Sequence, residues 1–159
     1  MSYLKSINAK IFSNINIESQ VSIWKKNGEK VVFTNGCFDI IHRGHIEVLS
    51  RTADLGDKLI IGLNSDSSVQ KLKAKGRPII DENSRAILLA ALSFVDAVIL
   101  FSEESPLNLI SKLKPDILAK GSDYKFDKIV GRKIVIDNGG EVICIPFIDG
   151  FFSTNIINK

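Results

Sequence analysis

Apolar and polar positions alternate between two kinds of segment along this chain. Five short runs are rich in β-branched and other apolar residues: KVVFTN at 30–35, KLIIGLNS at 58–65, DAVILF at 96–101, DILAKG at 116–121 and EVICIPF at 141–147. Each reads as a buried strand. Between them lie stretches with helical spacing, IIHRGHIEVLSRTADLG at 40–56, ENSRAILLAALSFV at 82–95, PLNLISKLK at 106–114 and KIVIDNG at 133–139. Ahead of the first strand, Val21, Ile23 and Trp24 give residues 17–27 a helical pattern that stops at Asn27-Gly28. Strands apolar on both faces, alternating with helices, predict an α/β fold: a Rossmann-like, doubly wound, five-stranded parallel sheet with helices on both faces. Residues 1–28 then form a helical extension packed on a core domain spanning 29–159. In such sheets ligands bind at the carboxyl ends of the strands, where strand order reverses. The most polar loop, KLKAKGRP at 71–78, is the expected place for mobility.

Composition narrows the picture. At 159 residues and 45% hydrophobic content the chain can close one substantial core but not two ordinary domains. Its 21 basic and 18 acidic residues form no long single-sign block, so neither nucleic acid nor a membrane is an expected partner. The opening MSYLKSINAKIFSN has no apolar signal-like run, and no segment approaches transmembrane length; a soluble, cytoplasmic protein is expected. Cys37 and Cys144 lie far apart with no CxxC partner, which argues against a disulfide framework or a metal centre.

The chain's two histidines sit in His42-Arg43-Gly44-His45, just after a strand and loop and at the start of a predicted helix. Spacing of i and i+3 puts both rings on one face. A helix N-terminus offers amide donors and a positive dipole end to an anion, and Gly44 lets a ligand approach the backbone. Imidazoles there can donate to phosphate oxygens as charge moves onto a leaving group. A pair of capping or surface histidines is equally compatible with the spacing. The preceding loop, Asn35-Gly36-Cys37-Phe38-Asp39, lacks both GxGxxG and GxxxxGK[ST], so classical dinucleotide and P-loop readings are weak.

The runs FTNGCFDIIHRGH, LGDKLIIGLNSD, GRPIIDENSRAILLAALSFVDAVILF, PDILAKGSDY and GGEVICIPFIDGFFSTNII, in this order, resemble the cytidylyltransferase-like nucleotidyltransferases marked by HxGH. Among these, the chain is most similar to the adenylyltransferase domain of bacterial ADP-heptose synthases. The resemblance runs from about Glu29 to the C-terminus, making 29–159 the nucleotidyltransferase domain. The family's usual bifunctional form carries a sugar-kinase domain before this one, and the resemblance is to the stand-alone transferase, which would do without it.

The resemblance implies roles for individual residues. His42, His45 and Lys73 would be catalytic, stabilising phosphate charge, with Lys71 and Lys75 as substitutes for Lys73. Asn35, Gly36, Cys37, Phe38, Asp39 and Gly44 would form the loop around the nucleotide phosphates, Asp39 organising the loop or assisting a metal. Lys120, Gly121, Asp123 and Tyr124 of the KGSDY segment, with Ser153 and Thr154 of the last motif, would complete nucleotide binding. Asn64, Asp66 and Arg85 would face the second substrate, although N-capping by Ser65 or Asp66 and a surface ion pair for Arg85 are ordinary alternatives. Phe152 replaces a hydroxyl residue common in the family's last motif.

The implied reaction joins AMP from ATP to D-glycero-β-D-manno-heptose 1-phosphate and releases pyrophosphate. Mg²⁺ would accompany ATP, held chiefly by phosphates and water because the motifs offer few carboxylates. The expected partners are ATP and the sugar 1-phosphate, and a homodimer is compatible with the resemblance. Glycerol-3-phosphate cytidylyltransferase is the enzymatic alternative, though Phe147 stands where those enzymes place an arginine. A nucleotide-binding regulatory module is the non-enzymatic one.

Overall fold

The computed structural model describes residues 2–122 and 125–146. The elements run α1 (Tyr3–Asn8), β1 (Ile11–Phe12), α2 (Asn14–Lys26), β2 (Val31–Gly36), α3 (Arg43–Ala53), β3 (Lys58–Asn64), α4 (Asp66–Leu72), α5 (Glu82–Ala90), β4 (Ala97–Phe101), α6 (Leu107–Leu113), β5 (Ile117–Gly121), a 3₁₀ turn (Phe126–Lys128), α7 (Arg132–Asp137) and β6 (Glu141–Ile145). The strands form one sheet in the order β1-β4-β3-β2-β5-β6, and every pairing is parallel.

The expected α/β architecture is present, but the sheet has six strands where the sequence pattern predicts five. The added strand is β1, inside the segment expected to be purely helical; Ile11 and Phe12 pair with Val98 and Ile99 of β4. Two residues are too few to register an alternating pattern, so only the neighbouring strand makes this segment a strand. The polar stretch after β3 also holds a helix, α4, capped by Ser65, whose hydroxyl accepts from the Ser68 amide at 3.3 Å.

Successive side chains of each strand enter opposite cores, as a period of two requires. Val31, Phe33, Ile60, Ile99 and Leu118 meet Ile17, Val21 and Trp24 of α2, Leu109, Ile110 and Leu113 of α6 and Val135 of α7. On the other face Val32, Ile61, Leu63, Val98 and Ala119 meet Leu49 of α3 and Ala86, Leu89 and Ala90 of α5. Each valine, leucine, isoleucine or phenylalanine among these contributes roughly 1.5–3 kcal/mol on burial. Aspartates just ahead of two strands accept amides at the start of the neighbouring strands, Asp116 from Val31 at 2.8 Å and Asp96 from Leu59 at 2.9 Å.

The strand order sets the position of the site. From β2 the chain moves outward through β3 to β4, then returns to place β5 on the other side of β2. Strands β2 and β5 are paired only at Val32–Phe33 against Ile117–Leu118, so the reversal of strand order opens a crevice beyond Asn35 and Lys120.

Candidate active site

The loop after β2 is shaped by Gly36 and Phe38. Phe38 adopts a φ of 46°, a left-handed conformation costly for a side chain with a Cβ. A Cβ on Gly36 would lie 2.9 Å from Phe38 Cε2, so glycine makes room for the folded-back ring. That ring stands edge-on to His45, with centroids 5.4 Å apart at 65°.

His42 is the N-cap residue of α3 and His45 lies in its first turn. Their rings sit 3.9 Å apart at 30°, and His45 Nδ1 lies 3.4 Å from the His42 backbone N–H. Burial lowers the pKa of His42. Burial, reinforced by His42 and opposed by the backbone of Ile40, pushes His45 down to about 4. Both shifts favour the neutral imidazole, which carries one N–H donor per ring. His42 Nδ1 is buried without a hydrogen-bond partner. The arrangement combines capping with two imidazoles at a helix N-terminus, so the two readings of the HRGH spacing are not exclusive. Gly44 is buried in the same turn.

Asp39, 3% exposed, faces the strap that follows α4. Its Oδ1 accepts from the amides of Ile79 at 2.8 Å and Ile80 at 2.9 Å, and its Oδ2 accepts from Arg77 Nε. Burial opposes its ionisation, but the Ile80 amide, Arg77 and the Ile79 amide outweigh burial and hold the carboxyl below its ordinary range. Burial pushes the Cys37 thiol up, against the pull of Lys73, Arg85 and Arg77. Lys73, the C-cap residue of α4, is exposed, as are Lys71 and Lys75. It is nevertheless close enough for its charge to act on Cys37.

Arg85 is fully buried, which removes the surface ion-pair reading. It donates to the carbonyls of Ile80 at 2.9 Å, Cys37 at 2.6 Å and Asn64 at 2.8 Å, and to Asp66 Oδ1 at 2.7 Å. Asn64 donates to Ser68 Oγ at 2.9 Å, and the Asp66 amide to Glu82 Oε2 at 2.6 Å. The three residues expected to face the second substrate thus form one hydrogen-bonded cluster joining the loop after β2, the end of β3, α4 and the strap.

Across the crevice, Lys120 is 6% exposed and its Nζ donates to Asn35 Oδ1, linking the ends of β5 and β2. Gly121 closes β5 opposite Ile145. Asp123, Tyr124, Ser153 and Thr154, with Phe147 and Phe152, lie outside the described residues. Among the described residues no group of three or more His, Cys, Asp or Glu could hold a metal. Both cysteines are free. No helix among the described residues is long and apolar enough to cross a membrane.

Sequence reasoning missed Arg77 and the Asp39–Arg77 contact, because a lone arginine in a lysine-rich loop carries no pattern and its partner stands 38 positions away.

Known proteins agree with this architecture. The chain is 53% identical over 135 residues to the bifunctional protein HldE of Trichlorobacter lovleyi, covering 85% of this chain and 28% of that one. Its identity to HldE of Nitrobacter hamburgensis is 45% over 147 residues, covering 92% of this chain and 30% of the relative. The chain therefore spans less than a third of the length of these relatives. A solved structure titled as a lipopolysaccharide core biosynthesis protein, from Thermoplasma volcanium, is 35% identical with a TM-score of 0.63, covering 76% of this chain and 98% of that one. The Cytidylyltransferase-like family matches residues 33–157, and the chain belongs to that family of nucleotidyltransferases.

Proposed function

We propose that the chain transfers AMP from ATP to a sugar 1-phosphate, D-glycero-β-D-manno-heptose 1-phosphate, forming ADP-heptose and pyrophosphate for surface-glycan synthesis in the cytoplasm. The observation that carries nucleotidyl transfer is the pair of imidazoles, 3.9 Å apart, at the start of α3 beside the strand-order reversal. The choice of ATP and heptose rests on the resemblance of the motifs to ADP-heptose synthases and on the 45–53% identity to proteins named HldE.

A sugar 1-phosphate oxygen attacks the α-phosphorus of ATP in line, and the bond to pyrophosphate breaks. A phosphate monoester is already nucleophilic near neutral pH, so positioning and charge stabilisation are the tasks left to the protein. His42 and His45 donate hydrogen bonds to phosphate oxygens as charge develops, the dipole of α3 adds to this, and Lys73 closes on the same charge from the strap. Lys120, tied to Asn35, borders the nucleotide side. Arg85, Asn64 and Asp66 hold the loop and the strap in register; this positioning is the role we assign them.

Mg²⁺ bound with ATP would supply neutralisation of phosphate charge. The described residues offer it no cage, since Asp39 is occupied by Arg77 and two amides, so it would be held chiefly by the nucleotide and water.

The test incubates the purified chain and Mg²⁺ with ATP or CTP against a panel of sugar and polyol phosphates, reading pyrophosphate release. Turnover is expected with ATP and the heptose 1-phosphate. Turnover confined to CTP and glycerol 3-phosphate would overturn the substrate assignment, and none with any pair would favour a binding module.

A further inference from the structure

Arg77 meets its carboxylate through one nitrogen. Arg–carboxylate pairs are frequently bidentate, with two parallel N–H bonds. Here Arg77 uses Nε alone on Asp39 Oδ2, while Oδ1 is taken by the amides of Ile79 and Ile80. Among the described residues Arg77 makes no other hydrogen bond or ion pair, and its side chain keeps 19% exposure. Its two terminal nitrogens are absent from the buried unpartnered atoms, so they reach solvent.

The anchor fixes where that open fork stands. Asp39 lies two residues after Cys37 and three before His42, so a guanidinium held on it stands at the phosphate loop. Its charge is felt at Cys37 together with those of Lys73 and Arg85. Arg85 cannot supply an open donor set, because its three nitrogens are all engaged and it is fully buried. Arg77 therefore combines a buried carboxylate anchor with two terminal nitrogens that reach solvent, a donor set suited to a phosphate.

We propose that Arg77 is a phosphate-binding residue of this site, held through Nε by the buried Asp39 carboxylate and offering its two terminal nitrogens to a phosphate of one substrate. The phosphate belongs either to the nucleotide or to the acceptor. This inference rests on the proposed reaction for the identity of those two ligands.

Binding measured without turnover separates the possibilities. Wild-type chain, R77A and R77K are titrated calorimetrically with MgATP alone and with the sugar 1-phosphate alone, and thermal melts are recorded for each. R77K preserves a cation for Asp39 but has no fork with which to hold the carboxylate and a phosphate together. Both variants are expected to raise the Kd of one ligand at least tenfold, and the affected ligand names the phosphate. D39N, which frees the guanidinium from its anchor, should weaken the same ligand. If R77K is folded and binds both ligands within twofold of wild type, Arg77 is only a latch on the strap and the proposal fails, whatever happens to kcat. Should the wild type bind MgCTP in place of MgATP, the adenylyl reading fails, and the same titrations with MgCTP still decide the role of Arg77.

Discussion

Replacing Arg85 with Met tests the claim that the site is built around a buried guanidinium. Methionine keeps much of the length and apolar stem, so the cavity term is small and the lost hydrogen bonds dominate. The substitution leaves the carbonyls of Cys37, Asn64 and Ile80 without these donors. An unmade buried hydrogen bond costs roughly 1–3 kcal/mol, and local relaxation or entering water brings the sum to the lower half of the simple total. The side chain of Asp66 is 33% exposed, so it regains water and adds little. The expected loss is about 3–5 kcal/mol, the size seen when a buried ion pair loses one partner.

Equilibrium urea unfolding reads this directly. With an m-value of about 2 kcal/mol/M, the midpoint should fall by roughly 1.5–2.5 M with m unchanged. Arg85→Lys retains charge and three donors but cannot span four acceptors, so its loss should fall between wild type and Arg85→Met. A loss below about 1 kcal/mol for Arg85→Met would refute the reasoning, because it would mean the carbonyls find water without cost and the guanidinium is not what joins the four segments.

The depressed His45 pKa makes a pH prediction: the unfolded chain binds a proton near pH 6.5 and the folded one only near 4, so stability is full above 6.5 and falls as pH drops through that window. The loss attributable to this ring is at most about 3 kcal/mol, and urea midpoints measured against pH should show a flatter slope for His45→Asn; an identical slope would remove His45 as the cause. For activity, His45→Ala should lower kcat on the order of a hundredfold or more while the protein stays folded, as loss of a charge-stabilising donor does; an unchanged rate would mean the role is misassigned. Gly131 has φ +83°, and a Cβ there would lie 2.6 Å from Ile110 Cδ1. Gly131→Ala should therefore cost about 1–2 kcal/mol in the thermal or urea transition, whereas Gly76→Ala, at φ +89° with nothing within 4 Å, should cost only the backbone strain.

Elements whose formation depends on local pattern were legible in the sequence. The runs at 58–64 and 97–101 are continuous apolar strands, and their assignment needed no knowledge of neighbours. Strand β1 was not legible, because Ile11 and Phe12 become a strand only through β4. Helix α4 was hidden for a different reason: DSSVQKL carries a single strongly apolar pair, Val69 and Leu72, and Leu72 remains half exposed. Its stability comes from the Ser65 cap and from Asp66, which are side-chain-to-backbone and ion-pair effects that hydrophobic period does not reveal.

The same division runs through the site. His42 and His45 are three residues apart, so their meeting follows from helix geometry alone. Arg85 was harder, since an arginine in the polar first turn ENSR is compatible with a surface ion pair, although it shares the buried face of α5 with Ala86 and Leu89. A buried guanidinium is tolerated only where acceptors surround it. Three of its four acceptors are backbone carbonyls, one of them 48 positions away at Cys37, and every residue carries such a group. A carbonyl becomes distinctive only when a strand end or loop leaves it unpaired, and that is decided by topology. Motifs therefore disclose groups that touch substrate, whose chemistry demands a particular side chain, more readily than the buried polar residues that hold the motif in place.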